Sequence, residues 1–375
     1  MRKIRVLHFP LRNNFGGISS FILRSWQFID KSRFLFDFAT MSKEPLYFEE
    51  ELVKQGCKVY HIPLYAVEDE SLFISEFEKV LCNYDVVHLH NGYWTSFACE
   101  KAAKNVGIPN VIIHAHNTGI GVINGGATYE EALFLHNKLK SELTSDTASR
   151  FLACSIPAGD WLYGKSIPKK EIQILNYAID TELFSYNNGV RESYRKELGI
   201  LNDFVIGHVG RFERQKNHLF LIDTFSKVCR YLPNTKLVLV GIGADFEIIK
   251  NKVEQYKLIE KVILLGKRTD VANLLQAMDV FAFPSFFEGF GIVLIEAQAS
   301  GLRCIVSDNV PEEAQITDLI QYQPLDTDVW CKKIVELAND SFIRTNYSTE
   351  VAKSGYSIKD QIKNLEKIYS GGKIE

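Results

Sequence analysis

"FVIGHVGRFERQKNH", residues 204–218, reads in three parts. Its first six residues are apolar or β-branched with little polar alternation, as in a strand covered on both faces. Gly210 follows, then a charged loop holding Arg211, Arg214 and Lys216. A helical pattern starts near His218. Strand, loop and helix in this order form the repeating unit of a parallel α/β sheet.

The same rhythm runs in both directions. Downstream, "KLVLVGIG" (236–243), "KVILLG" (261–266), "VFAFP" (280–284) and "RCIVSD" (303–308) read as strands, with helical stretches between them. Upstream, "IRVLHF" (4–9), "FDFAT" (36–40), "KVYHI" (58–62), "DVVHLH" (85–90) and "NVIIHAH" (110–116) form an earlier set. "ISSFILRSWQFI" (18–29) and "EEELVKQG" (49–56) read as helices of that first half. The fold class is α/β, with two doubly wound, Rossmann-like domains expected to face a cleft. "ILNYAIDTELFSYNNG" (174–189) looks like the linker. "SIKDQIKNLEKIYS" (357–370) places Ile358, Ile362, Leu365 and Ile368 on one helical face, which must pack on one domain or the other.

The bulk numbers narrow the function. The 375 residues suit two domains, and 46% hydrophobic with 24% charged residues describes a globular chain. A net charge of −3 argues against a nucleic-acid binder. The seven cysteines are scattered, without a C-x-x-C pair, so neither a zinc site nor a disulfide framework is expected. No apolar run reaches the roughly 18 residues of a bilayer span. The start reads as a first strand and not as a signal peptide. A cytoplasmic protein is expected.

Ligands of doubly wound domains bind beyond the carboxyl ends of the strands, so the candidate residues lie there. Gly16 and Gly17 precede a helix, where backbone N–H groups can approach an anion; the bland alternative is a tight turn. Arg211, Arg214 and Lys216 suit phosphate oxygens, or form a solvated charged loop. Gly241 and Gly243 permit close approach, but Phe246 stands where a dinucleotide fingerprint needs its third glycine. Glu288 and Glu296 are eight positions apart, ~12 Å if helical, which suits two ends of one long ligand better than a glycosidase pair. His114 and His116 share one face of a strand, as do His88 and His90. No third metal ligand is evident locally, so these are polar contacts, proton-handling groups or structural histidines. No D-x-D stands near an expected strand end, and no metal is expected.

Together these features resemble the retaining glycosyltransferases of family 4, which have the GT-B fold. "FPSFFEGFGIVLIEAQASG" resembles that family's E-x7-E motif, and "GRFERQKNH" its phosphate-binding strand end. "LNYAIDTELF" resembles its linker and "NNFGGISSF" its glycine loop. "CSIPAGDWLYG" and "VSDNVPEEAQIT" are similar to the capsule and exopolysaccharide branch. The resemblance implies a nucleotide-diphosphate sugar as donor, UDP-linked, and a glycan or lipid-linked acceptor. It implies that Arg211 and Lys216 hold the diphosphate, Glu296 the ribose and Glu288 the transferred sugar. Gly289, Phe290 and Gly291, between the two carboxylates, join the donor site. Gly16 and Gly17 lie beside the phosphates, and His116 or His114 contacts the sugar. Residues 1–178 become the acceptor-side domain, joined by the C-terminal helix at 357–375, and 179–356 the donor-binding domain. Lipid-linked acceptors imply peripheral contact with the inner face of the plasma membrane, with Lys138, Lys140, Lys165, Lys169 and Lys170 as candidates. The chain departs from the family where Arg303 and Ala244 stand in place of prolines, and Tyr177 and Ala178 in place of the linker glycine.

Two alternatives belong to other classes. A non-transferring nucleotide-sugar-binding protein needs Arg211, Lys216 and Glu296 but neither Glu288 nor His116. A GT-B-fold epimerase needs no acceptor. Acceptor-dependent nucleotide release separates them.

Overall fold

In a computed structural model, which describes residues 2–13, 16–120, 127–288 and 290–372, the chain divides into two compact units. Unit 1 comprises Met1–Ala178 with Ile358–Glu375, and unit 2 comprises Ile179–Ser357.

Unit 1 is a seven-stranded parallel sheet of β1 (Ile4–Phe9), β2 (Phe34–Thr40), β3 (Val59–His61), β4 (Val86–Asn91), β5 (Asn110–Ala115), β6 (Arg150–Ala153) and β7 (Ile172–Ile174). The order is β3-β2-β1-β4-β5-β6-β7, so the winding reverses between β1 and β4. Val6, Leu7, Val87, Ile112, Ile113 and Leu152 are fully buried, as strands with helices on both faces require. The final helix, Ile358–Tyr369, belongs to this unit. Its apolar face is buried through Ile358, Ile362, Leu365 and Ile368. Glu366 pairs with Arg33 at 3.0 Å, and Gln361 donates to the Asn176 carbonyl.

Unit 2 repeats the plan with β8 (Phe204–Val209), β9 (Thr235–Val240), β10 (Val262–Leu264), β11 (Val280–Phe283), β12 (Arg303–Ser307) and β13 (Ile320–Gln323), in the order β10-β9-β8-β11-β12-β13. Its winding reverses between β8 and β11. Ile206, Leu237, Val280 and Ile305 of the sheet pack with Leu221, Phe225 and Trp330 of the helices in one core.

Three strands have no counterpart among the runs singled out in the sequence: β6 "RFLA", β7 "IQI" and β13 "IQYQ". Each is three or four residues long, and each of the last two carries glutamine among its few residues. Their extended conformation comes from pairing with β5, β6 and β12 and not from their own pattern. Recognising β13 also corrects the reading of D-x-D motifs, because Asp326-Thr327-Asp328 stands just beyond it. There Asp326 caps helix Thr327–Asn339 by accepting from two backbone N–H groups, and Asp328 pairs with Lys227 at 2.6 Å. Both carboxylates thus have structural employment.

Candidate functional site

At the reversal point of unit 2, the loop after β8 runs beside the loop after β11. Phe286 N–H donates to the Gln215 carbonyl at 2.9 Å, and the Gln215 side chain donates to the Phe287 carbonyl at 2.9 Å. Asn217 takes a left-handed backbone (φ 55°), which Asn tolerates better than most residues, and turns the chain into helix His218–Tyr231. This arrangement brings Lys216 Nζ to 2.5 Å from Glu288 Oε1, with both side chains largely buried. The ammonium also lies 4.7 Å from the centre of the Phe283 ring. A buried cation clamped between a carboxylate and a ring face is costly to desolvate and is strongly destabilised if its partner is removed. The crevice beyond this strand pair is where doubly wound sheets take their ligands.

The neighbouring residues occupy different positions. Arg211 is half exposed and pairs with Glu213 at 2.7 Å, while Arg214 is exposed. Gly291 has φ 78° and opens helix Ile292–Ala299, on which Glu296 is buried. Phe290 is buried and stacks on Tyr356 at 5.5 Å between centroids. Gly289 lies outside the described residues. Only Glu296 of the two carboxylates is helical, because the helix begins at Ile292; the ~12 Å separation estimated for a continuous helix therefore does not apply.

Gly241 and Gly243 have a different employment from the ligand approach expected. A Cβ on Gly241 (φ 143°) would lie 1.9 Å from the Gly210 carbonyl oxygen, and one on Gly243 would lie 2.3 Å from that of Phe212. These glycines let the loop after β9 lie directly on the loop after β8.

In unit 1, Gly16 is the N-cap of helix Gly17–Phe28 with an ordinary extended backbone. Gly17 faces Tyr177, whose hydroxyl would stand 3.2 Å from a Cβ there. Beneath this helix start, β1, β4 and β5 place five buried histidines together: His8, His88, His90, His114 and His116. His8 Nδ1 pairs with His90 Nε2 at 3.0 Å, His90 Nδ1 with His116 Nε2 at 2.9 Å, and His116 Nδ1 with the Tyr177 hydroxyl at 2.8 Å. A second run joins Tyr369 to His88 Nδ1 at 2.8 Å and His88 Nε2 to His114 Nδ1 at 3.2 Å. Phe21 packs over four of the rings, edge-on to His114 at 4.9 Å. Burial lowers all five pKa values, to about 3 for His8 and His116, so the rings are neutral at pH 7.

This cluster corrects the expectation that no third ligand lies near the H-x-H pairs. His8 is that neighbour for the His88/His90 pair and His90 for the His114/His116 pair, and only the strand order places them. It also narrows the role open to His116. Both its nitrogens are engaged inside the unit, and a pKa near 3 excludes it as a proton donor in the cationic form at neutral pH.

Beyond β1 and β4 lies a cavity of about 600 Å³. Phe9, Pro10 and Leu89 give it apolar walls, and Arg12, Tyr93 and Glu100 line it as polar residues. Glu100 is buried at the start of helix Ala98–Asn105, and its Oε2 has no hydrogen-bond partner among the described residues. Burial pushes its pKa up to about 7. No run in the sequence pointed to this residue, since a lone Glu near a helix start reads as an ordinary first-turn acid.

Residues 190–348 match the family described as Glycosyl transferases group 1. A Bacillus subtilis (strain 168) protein named as a glycosyltransferase, EpsF, is 30% identical over 377 residues, covering 98% of this chain and 96% of that protein. The Escherichia coli UDP-Gal:alpha-D-GlcNAc-diphosphoundecaprenol alpha-1,3-galactosyltransferase is 26% identical, over 82% of this chain and 80% of its own. Among solved structures, Anabaena Alr3699/HepE in complex with UDP superposes with a TM-score of 0.76 over 99% of this chain and 100% of that one, at 16% identity. That likeness shows the GT-B fold.

Proposed function

Because the chain belongs to the group 1 glycosyl transferases, and is a glycosyltransferase by that membership, we propose that it moves a sugar from a UDP-sugar to a glycan or lipid-linked acceptor with retention of configuration. The product belongs to a capsular polysaccharide, exopolysaccharide or O-antigen. The observation that carries this reading is the Lys216–Glu288 pair at the reversal point of unit 2.

Lys216 takes the donor diphosphate, exchanging one Glu288 oxygen for phosphate oxygens, and Arg211 adds a second cation from the rim. Glu288, released from Lys216, accepts from hydroxyls of the transferred sugar. Glu296 accepts from the ribose hydroxyls. Phe290 and Gly291 shape the turn between the two carboxylates, with Gly289 in the same stretch. The N–H groups at Gly16 and Gly17 meet the phosphates from the helix start. The bond from the anomeric carbon to the diphosphate breaks, the bond to the acceptor oxygen forms on the same face, and the acceptor proton passes to the departing phosphate oxygen. Lys216 and Arg211 offset the charge that develops on that oxygen, so the transfer step needs no metal. His116, nearer the strand's carboxyl end than His114, serves as a neutral, oriented group beside the sugar and not as an acid.

The cavity beyond β1 and β4 receives the acceptor. The diphosphoundecaprenol in the Escherichia coli relative's name supports a lipid-linked one. No helix among the described residues is long and apolar enough to cross a membrane; the contact proposed with the inner face is peripheral. Its support is helix Tyr129–Glu142, where Phe134, 73% exposed, stands one turn from exposed Lys138. Lys165, Lys169 and Lys170 are also exposed, whereas Lys140 lies partly over Trp161.

Calorimetry with UDP-, GDP-, ADP- and TDP-sugars tests the donor, with Glu296→Ala as control. Selective UDP-sugar binding that this variant abolishes supports the reading, and equal binding by the variant contradicts it. Nucleotide release that requires an acceptor excludes a binding module or an epimerase.

A further inference from the structure

We propose that the histidine cluster in the core of unit 1 is a binding site for one late first-row transition-metal ion, held by His90, His114 and His116. One ring nitrogen from each of these three lies within 4.8 Å of the others, and all three rings are buried. His88 Nε2 stands beside this group, 3.2 Å from His114 Nδ1.

The arrangement has the parts of a histidine metal site. Ligating imidazoles hold their outer nitrogen in a hydrogen bond that fixes tautomer and ring orientation. Here the Tyr177 hydroxyl is 2.8 Å from His116 Nδ1, and the Tyr369 hydroxyl is 2.8 Å from His88 Nδ1. With His116 Nδ1 donating to the Tyr177 phenol, His116 Nε2 carries an inward lone pair that accepts from His90 Nδ1, and an entering ion would take the place of that hydrogen bond. His90 Nδ1 and His116 Nε2 already approach each other at 2.9 Å, near the spacing of about 3.3 Å between ligand nitrogens in tetrahedral ligation at 2.0–2.1 Å.

One further observation points to a ligand. His114 Nε2 is fully buried with no hydrogen-bond partner among the described residues, although such nitrogens are normally satisfied. An all-imidazole set suits Zn²⁺, Cu²⁺, Ni²⁺ or Co²⁺ and not a hard cation such as Mg²⁺. The ion would tie the carboxyl ends of β4 and β5 together beneath helix Gly17–Phe28. All of its ligands lie in unit 1, and metal retention is measured without a sugar donor.

The test uses the full chain without a histidine tag. The chain is loaded with Zn²⁺, gel-filtered, and its metal measured by elemental analysis, beside His90→Gln and His8→Gln. About one Zn²⁺ per chain is expected for the parent and for His8→Gln, and about a tenfold loss for His90→Gln. If His90→Gln does not fold, Co²⁺ added to the parent chain decides, through the visible d–d absorption of a tetrahedral nitrogen site and its displacement by Zn²⁺. Retention of metal equally by folded His90→Gln, or no retained Zn²⁺ and no such Co²⁺ spectrum in the parent, overturns the proposal.

Discussion

Units 1 and 2 wind their strands in the same order and reverse at the equivalent place, yet the two reversal points carry opposite chemistry. In unit 2 it holds charge: a lysine and a glutamate 2.5 Å apart, with an arginine at the rim. In unit 1 it holds buried neutral imidazoles below and a partly apolar cavity beyond. The shared topology supplies a crevice in each case and does not determine what binds there. The difference comes from residues at strand ends, where backbone geometry is fixed and side chains are free to vary.

The comparison breaks first at Lys216. Lys216→Met leaves Glu288 buried without its cation and removes a diphosphate contact, so kcat/KM is expected to fall by about 10²–10³. Steady-state kinetics with the best UDP-sugar measures this, and a loss under about threefold would place the diphosphate elsewhere.

Acid separates the units next. Unit 1 buries six histidines with lowered pKa values, the five of the cluster and His136 at about 4. Unit 2 has two, His208 at about 4 and His218 at about 2. Unfolded histidines take a proton near pH 6.5, whereas these stay neutral well below that. Between those values the unfolded state binds more protons, so stability falls as pH falls. Each group costs about 1.4 kcal/mol per pH unit below 6.5 until its folded pKa is reached. Hydrogen exchange at pH 5 is therefore expected to show unit 1 opening before unit 2. His61, whose pKa is raised against its burial by the Ser42 carbonyl and then Glu49, acts in the opposite sense on its own.

Gly241→Ala sharpens the reading of unit 2. The left-handed φ and the 1.9 Å approach to Gly210 predict a loss of about 2–4 kcal/mol by denaturant titration. A stable variant with weakened UDP binding would return this glycine to ligand contact. Glu100→Gln is the mildest change. It keeps shape and removes a carboxyl group that titrates near pH 7, so the acceptor KM is expected to rise severalfold with donor affinity unchanged. A change in donor affinity alone would remove the cavity from the acceptor.

Much of this was legible in the sequence, and the failures share one cause. The strand–helix rhythm gave both sheets because buried parallel strands write themselves as short apolar runs. Strands β6, β7 and β13 are too short and too polar to do so, and exist by pairing. Gly241 and Gly243 announced a close backbone approach without saying whose. The H-x-H pairs were visible, but His8 joins them only because β1 lies beside β4. Lys216 and Glu288 were both singled out, yet their contact spans 72 positions and depends on which strands are neighbours.

Amide hydrogen exchange with and without saturating UDP tests the central claim most directly. The account predicts new protection at 210–217 and 284–296 in unit 2, with 86–91 and 110–116 in unit 1 unchanged. Protection confined to the unit 1 segments would contradict it.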